Sequence, residues 1–363
     1  MKVVLIGNAD ISIYLYRKEL VDRLLGEGYD VHIVTPKGDY ISILAKMGCR
    51  CHDIEIDRRG TNPIKDLSLL RKYIKLFKDI RPDFVLSYTI KPNIYGSIAC
   101  GLLNIPVVVN VTGLGTAVEN KGWKQVVTLL LYRLSFKKVK TIFFQNEENM
   151  KFFRDRNLYV SKHKLLPGSG VNLERFSLSE YPNGDVINFV FVSRLMKEKG
   201  IDQYLETAEY ITAKYSNVKF HICGFCEKEY ESKLETLKNN SAVIYHGMVK
   251  DMTTILPSMH CTVHPTYYPE GLSNVLLESL AVGRPIITTD RAGCREVVDE
   301  GVNGYIVKQQ DSNDLIEKIE KFLSLTFEEK REMGLKGREK VEREFDREIV
   351  IEKYLKELND GRV

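Results

Sequence analysis

Short apolar runs alternate with longer amphipathic stretches along the whole chain. In the first half the runs lie near 2–6, 30–35, 51–56, 83–87, 107–110, 141–144 and 163–166. They are rich in Val and Ile, and they predict strands covered on both faces. Between them, apolar residues recur at helical spacing near 12–27, 40–47, 64–80, 94–103, 123–138 and 147–156. The pattern restarts at 186–192 and continues through Val218–Cys223, Val243–His246 and Cys261–Pro265. Helices are expected to open at Gly200 and to span about Leu272–Val282, 311–323, 327–344 and 347–358. Strands that alternate with helices argue for α/β architecture with parallel sheets. Asp53, Glu55 and Asp57 alternate with Ile54 and Ile56, which predicts a half-exposed strand and not a metal-binding cluster.

A chain of 363 residues suits two domains. Pro167-Gly168-Ser169-Gly170 has the composition of a hinge. The expected division is 1–168 and 169–345, with a last helix, 346–363, crossing back to the first domain. A hydrophobic share of 44% leaves ample material for two cores. Seven scattered cysteines without a disulfide framework suit a reducing cytoplasm. Cys223-Gly224-Phe225-Cys226 lacks the second pair that a zinc site needs, and His260, Cys261 and His264 read as strand residues. Val3–Ile6 lacks a signal-peptide layout, and no apolar run approaches the length of a membrane span. The expectation is a cytoplasmic protein.

Charge changes this picture. Residues 1–170 sum to +11 and residues 171–363 to −7, giving +4 overall. Lys121, Lys124, Arg133, Lys137, Lys138 and Lys140 cluster without an acid among them. Residues 58–81 add Arg58, Arg59, Lys65, Arg71, Lys72, Lys75, Lys78 and Arg81 against Asp66 and Asp79. Basic faces attract phosphates, nucleic acid or anionic lipid. No nucleic-acid motif accompanies them, so the expected partner is an anionic membrane surface and not nucleic acid. The stretch 123–138 carries Trp123, Tyr132 and Phe136 with Val126, Val127, Leu129, Leu130, Leu131 and Leu134, as an interfacial helix does. So wide an apolar set must pack in part on its own domain.

Candidate chemistry gathers at strand ends. The first strand ends at Gly7-Asn8-Ala9-Asp10, without the three spaced glycines of a dinucleotide fingerprint. Gly7 permits close approach of a ligand, and Tyr14 and Arg17 follow on the next helix. Two further loops, Ser87–Asn93 with Lys91 and Asn110–Thr116 with Thr112, lie at C-terminal strand ends, where such sheets bind ligands. In the second half, Arg194 and Lys199 suit a diphosphate, one by its planar fork and one as a point charge. Gly224 lets a nucleotide base pass close to the backbone. The strand at 261–265 leads to Glu270-Gly271-Leu272-Ser273-Asn274-Val275, then Glu278. A helix opening at Leu272 would aim the N–H groups of Gly271, Leu272 and Ser273 at an anion. Glu270 at the mouth is placed for a sugar, and Glu278 for hydroxyls deeper in.

Residues 260–310 resemble the donor-binding signature of the family 4 retaining glycosyltransferases, the group 1 sugar transferases. Glu270-Gly271 and Glu278 stand at that family's spacing, followed in order by Ala281-Gly283-Pro285, Thr288-Thr289-Asp290, Gly293, Glu296 and Gly301–Gly304. Upstream, Val192–Leu195 with Glu198-Lys199-Gly200 resembles its phosphate-gripping stretch, and Gly247–Lys250, with Val249, its base-edge loop. The two N-terminal loops are similar to those of bacterial surface-polysaccharide transferases.

The resemblance implies two Rossmann-like domains facing across a cleft, the GT-B type. It implies transfer of a sugar from a nucleotide-diphosphate sugar to a lipid-linked saccharide, with retention, at the inner face of the cell membrane. Glu270, Arg194 and Lys199 would be catalytic. Gly7, Gly224, Val249, Gly271, Leu272, Ser273, Asn274, Val275 and Glu278 would bind the nucleotide sugar. Tyr14, Arg17, Lys91 and Thr112 would meet the acceptor. No Asp-x-Asp motif is present, so no metal and no cofactor is expected. Many relatives carry a His in the first half that contacts the donor sugar. Here His32, His52 and His163 fall in or beside expected strands, outside both loops. A nucleotide-sugar epimerase of the same architecture and a non-catalytic sugar-nucleotide-binding protein are the competing readings.

Overall fold

The computed structural model describes all residues except 59, 61, 116–117, 119–121, 238–241 and 361–363, with the backbone alone at 233–237. Arg59, Thr116 and Lys121, singled out above, therefore lie outside the described residues. Two compact units emerge from the contacts. The first is Met1–Ser169 with Glu270–Leu272 and Arg347–Val363; the second is Gly170–Pro269 with Ser273–Asp346.

The first unit holds seven parallel strands: β1 (Lys2–Ile6), β2 (Asp30–Thr35), β3 (Arg50–Asp53), β4 (Phe84–Tyr88), β5 (Val107–Val111), β6 (Thr141–Phe144) and β7 (His163–Leu165). Their order is β3-β2-β1-β4-β5-β6-β7. Helices α1 (Asp10–Gly26), α2 (Ile41–Lys46), α3 (Pro63–Ile80), α4 (Ser97–Leu103), α5 (Trp123–Ser135) and α6 (Glu147–Arg154) connect them. Every residue of β4, β5 and β6 is buried, because helices cover both faces. Tyr73 and Phe77 of α3 fill one face with Tyr132, Phe136 and Phe153. On the other face Leu20 and Leu24 of α1 meet Val350, Ile351, Tyr354, Leu355 and Leu358.

The second unit has six parallel strands: β8 (Ile187–Val192), β9 (Val218–Cys223), β10 (Val243–Tyr245), β11 (Cys261–His264), β12 (Ile286–Thr289) and β13 (Gly304–Val307). Their order is β10-β9-β8-β11-β12-β13. Its helices are α7 (Ile201–Lys214), α8 (Lys228–Leu237), α9 (Asn274–Ala281), α10 (Ser312–Ser324) and α11 (Phe327–Glu344). A last helix, α12 (Arg347–Asn359), belongs to the first unit. Among the described residues no helix is long and apolar enough to cross a membrane.

Three element expectations need correction. The strand expected over 51–56 ends at Asp53, where its pairing with β2 stops. The stretch expected as helix over 94–103 opens instead with a π-helical turn, Pro92–Gly96. Asn93 is held there by Ser87, which donates to its Oδ1 at 2.8 Å, while its own Nδ2 donates to the Asn110 carbonyl at 2.8 Å. The helix expected from Leu272 begins at Asn274, and this bears on the site.

Candidate active site

In the second unit β9 and β10 lie on one side of β8, and β11, β12 and β13 on the other. The crevice at such a switch point, beyond the C-terminal strand ends, is where open α/β sheets bind ligands. Two loops line it. The Tyr267 N–H donates to the Glu198 carbonyl at 2.9 Å, and Thr266 Oγ1 donates to the same oxygen at 3.3 Å. Gly200 sits at φ 78°, and a Cβ there would lie 2.1 Å from the Pro265 carbonyl oxygen. Only glycine lets the two loops close on each other.

Lys199 lies between them. It is 9% exposed, and its ammonium stands 4.8 Å from the Tyr268 ring. Burial pulls its pKa down to about 8; the Cys294 thiol opposes the fall and the Arg194 charge adds to it. Arg194 itself is half-exposed and pairs with Glu227 at 3.6 Å, a weak surface contact. His264 ends β11. It is buried, its pKa is pushed down to about 3 chiefly by burial, and neither ring nitrogen has a hydrogen-bond partner among the described residues. Its place as the last residue of that strand is the one the strand reading expects.

Gly224 joins three strand ends. Its φ is 149°, and a Cβ would fall 1.7 Å from the Ser193 carbonyl oxygen. Its N–H donates to the Gly247 carbonyl at 2.8 Å, and its own carbonyl accepts from the Tyr245 hydroxyl at 2.9 Å. Val249, two residues past Gly247, is half-buried beside an exposed Met248.

At α9 the sequence expectation is corrected. Ser273 is the N-cap, and its N–H donates to the Gly293 carbonyl at 2.8 Å. Gly271, Leu272 and Ser273 therefore do not form the first turn. The groups without intrahelical acceptors belong to Asn274, Val275 and Leu276. Asn274 Oδ1 is buried there without a partner among the described residues. Glu278 stands just over one turn into the helix, not two, and is half-buried. Its neighbour Ser279 meets Thr262 of β11 at 2.7 Å, which fixes the rotation of the helix. On α11, a Cβ at Gly334 would lie 2.1 Å from the Gly283 carbonyl oxygen, and one at Gly337 would lie 2.5 Å from Leu280.

Glu270, Gly271 and Leu272 group with the first unit. Gly271 is pressed so tightly there that a Cβ would lie 2.2 Å from Gln145 Oε1 and 2.3 Å from the Thr112 carbonyl oxygen. Leu272 is buried, and a Cβ at Gly168 would lie 2.6 Å from it. Glu270 is half-buried. Gly7 is buried, and a Cβ there would meet nothing nearer than Ile13 Cδ1 at 3.4 Å, so the fold itself does not demand glycine.

The acceptor candidates scatter. Tyr14 stacks on Tyr40 at 4.7 Å. Arg17 is buried, with its guanidinium 4.6 Å from the Tyr88 ring and donating to the Tyr16 carbonyl at 2.6 Å. It packs toward the protein interior. Lys91 is held by Asp66 at 2.6 Å, and Tyr95 donates to the same carboxylate at 2.9 Å. Thr112 is half-buried. None of the three first-half histidines reaches these loops. His32 and His52 bond each other at 2.9 Å on β2 and β3, and His163 bonds the Leu158 carbonyl at 2.7 Å.

Comparison with known proteins adds to this geometry. Residues 174–340 match the family model described as glycosyl transferases group 1, and residues 2–146 that described as glycosyl transferase 4-like. The capsular polysaccharide biosynthesis glycosyltransferase CapM of Staphylococcus aureus is 30% identical over 363 residues, covering 94% of this chain and 92% of its own. The chain belongs to the group 1 glycosyltransferases. This glycosyltransferase is also 28% identical, over 98% of each chain, to the N,N'-diacetylbacillosaminyl-diphospho-undecaprenol alpha-1,3-N-acetylgalactosaminyltransferase of Campylobacter jejuni. Its fold matches that of Anabaena Alr3699/HepE, solved in complex with UDP and glucose, with a TM-score of 0.81 at 14% identity, covering 99% of this chain and 100% of that one. The enzyme is thus of the hexosyltransferase type, with the two parallel-sheet domains of the GT-B fold.

Proposed function

We propose that this glycosyltransferase moves a sugar, with retention, from a UDP-sugar to a saccharide held on a polyprenyl diphosphate, in surface-polysaccharide biosynthesis. The observation that carries the reading is Lys199, a buried ammonium at the switch-point crevice beside Arg194. Two cations at one strand end, one buried and one half-exposed, suit the two phosphates of a nucleotide diphosphate. The name of the Campylobacter jejuni relative, an N-acetylgalactosaminyltransferase acting on a diphospho-undecaprenol, supports the acceptor class, and that of CapM the surface-polysaccharide role.

As the bond between sugar C1 and phosphate oxygen breaks, positive charge grows on the sugar and negative charge on the diphosphate. Arg194, Lys199 and the N-terminus of α9 at Asn274 and Val275 stabilise the leaving group. Glu270 holds sugar hydroxyls, Glu278 holds ribose hydroxyls, and the base lies along Gly224 and Val249. The acceptor oxygen attacks C1 on the face the diphosphate leaves, and the departing phosphate takes its proton. The reading includes catalysis without a metal. Tyr14, Arg17, Lys91 and Thr112 are the acceptor-side residues of this reading.

The test is incubation with a UDP-sugar panel led by UDP-N-acetylgalactosamine and an undecaprenyl-diphosphate-linked amino sugar. The expected result is elongated lipid and released UDP, undiminished by excess EDTA. Epimerised donor alone, or no turnover, overturns the reading. Loss on chelation that magnesium or manganese restores overturns its metal independence.

The diphosphate grip has a pH signature. The pocket lowers the folded-state pKa of Lys199 to about 8, so the ammonium is half lost at that pH and more so above it. UDP affinity should therefore fall as pH rises from 7 to 9. Arg194→Ala and Lys199→Ala should each weaken UDP binding by about 1.5–3 kcal/mol, and Lys199→Ala should flatten the pH dependence. Calorimetry at several pH values decides, and unchanged affinity in both variants rejects the grip.

Reaching a lipid-linked substrate calls for a membrane-facing surface, and α5 supplies one. Trp123 is 67% exposed, and Val126, Val127, Leu130 and Leu134 are exposed on the same helical face. Tyr132 and Phe136 pack inward instead. Lys124, Arg133 and Lys137 are exposed around that face. Each contributes about 1 kcal/mol near an anionic surface. Lys138 and Lys140, counted with them in sequence, are tied into the fold. Lys138 donates to the Gly101 carbonyl at 2.8 Å, and Lys140 to the Glu357 carbonyl at 2.6 Å. Binding to anionic liposomes is expected at low salt and lost at high salt. Trp123→Ser with Leu130→Ser should abolish it and leave UDP affinity intact. Wild-type protein that ignores such liposomes ends the idea.

A further inference from the structure

β6 is followed by Gln145-Asn146, and Asn146 opens α6 as its N-cap. Its Oδ1 accepts the Asn149 N–H at 2.8 Å. That bond settles which way the amide faces, because only the oxygen can accept from the helix. The Nδ2 then points the other way. It donates to the Gly271 carbonyl at 2.5 Å and to the Glu270 carbonyl at 3.2 Å. Asn149, on the first turn of the same helix, turns its own Nδ2 toward the Glu270 carbonyl at 3.5 Å. Both asparagines are buried, at 2% and 5% exposure. On its other side Gly271 rests against Gln145 and Thr112. All these residues belong to the first unit.

A cap alone does not require this residue. Ser and Asp cap as well as Asn. Neither also donates at the opposite end with a fixed geometry. Asparagine is the side chain that accepts from a helix with one atom and binds two successive carbonyls with the other. Fixing those carbonyls fixes the peptide plane between Glu270 and Gly271, and with it the direction of the Glu270 side chain.

We propose that Asn146, supported by Asn149, is a positioning residue for Glu270 and sets the aim of that carboxylate at the donor sugar. The proposal rests on the role given above to Glu270. Precise aim matters because misplacement of a reacting group by about 1 Å costs on the order of 10²-fold in rate.

The test uses full-length enzyme and UDP-N-acetylgalactosamine with the lipid-linked acceptor. Asn146→Ser keeps a cap oxygen and loses the donor. It should lower kcat by about 10²-fold, with KM for the donor and the melting temperature close to wild type. Asn146→Asp keeps an even better-matched cap and turns an oxygen toward the two carbonyls, so it should be no more active than Asn146→Ser. If Asn146→Ser folds poorly, Asn149→Ala carries the comparison with a smaller loss of kcat and an unchanged KM. Combined with Glu270→Gln, Asn146→Ser should cause no further drop, because both act through one group. Wild-type kcat in Asn146→Ser, beside a loss in Glu270→Gln, overturns the positioning alone. Wild-type kcat in Glu270→Gln overturns the proposal at its root. Losses that multiply in the double variant also overturn it.

Discussion

Glu270→Gln should bind UDP as wild type does and lose transfer by about 10²–10³-fold, the range for removing one group aimed at developing charge. Glutamine keeps the size of the side chain and its hydrogen bonds to hydroxyls. It loses the negative charge that opposes the positive charge growing on the sugar. The loss should fall on kcat, because the interaction strengthens between ground state and transition state. The fold should persist, since this segment is held by the carbonyls of Glu270 and Gly271 and by the bare α-carbon of Gly271. Steady-state kinetics with UDP calorimetry decides, and turnover equal to wild type removes Glu270 from the mechanism.

The second large effect concerns stability. Arg284 is fully buried in the turn before β12, with no carboxylate in its hydrogen-bond set among the described residues. Its guanidinium donates to five carbonyls: Leu256 at 3.3 Å, Ser179 at 3.3 Å, Gly283 at 3.1 Å, Glu180 at 2.7 Å and Pro257 at 2.8 Å. Burial lowers its pKa to about 10, so it stays charged at neutral pH. This one side chain stitches the stretch 179–180, the turn at 256–257 and the entry to β12. Arg284→Met fills the volume and leaves buried carbonyls unpaired, at about 1–3 kcal/mol for each that finds no water. Relief of the cation's own desolvation offsets part of that loss. The net cost should be about 3–5 kcal/mol, which lowers a thermal transition by about 10 °C in a unit of this size. Arg284→Lys should recover only part of it, because an ammonium lacks the five-donor fork. A melt of Arg284→Met that overlays wild type would show that the carbonyls find other partners.

These cases also show where sequence reading stops. The strands were legible because a parallel strand between two helical layers has no polar face, as β4, β5 and β6 show. The helix expected at 327–344 is Phe327–Glu344, and its start is written locally in the Thr326–Glu329 capping box. The start of α9 was not, because the Ser273 N–H is taken by a carbonyl twenty residues further on. Arg284 and Arg17 look like surface cations until the fold brings carbonyls or tyrosine rings to them. For the site, the glutamates, Arg194 and Lys199 stood out by spacing and type. Asn146 did not, since its function depends on a chain segment more than a hundred residues away.

The grouping of α12 with the first unit has a consequence for biosynthesis. Sheet β1–β7 is complete once residue 165 has been made, yet one of its faces is covered in part by Val350, Ile351, Tyr354, Leu355 and Leu358. Glu357, buried on the same helix, receives the Thr141 hydroxyl at 2.7 Å and the Lys164 ammonium. Every residue of the second unit is translated before that helix. At about 5–20 residues per second, the ribosome carries a first unit with an open apolar face for on the order of ten to forty seconds. A nascent chain stalled before residue 347 should therefore bind holdase chaperones through its first unit, and one stalled with α12 clear of the exit tunnel should not.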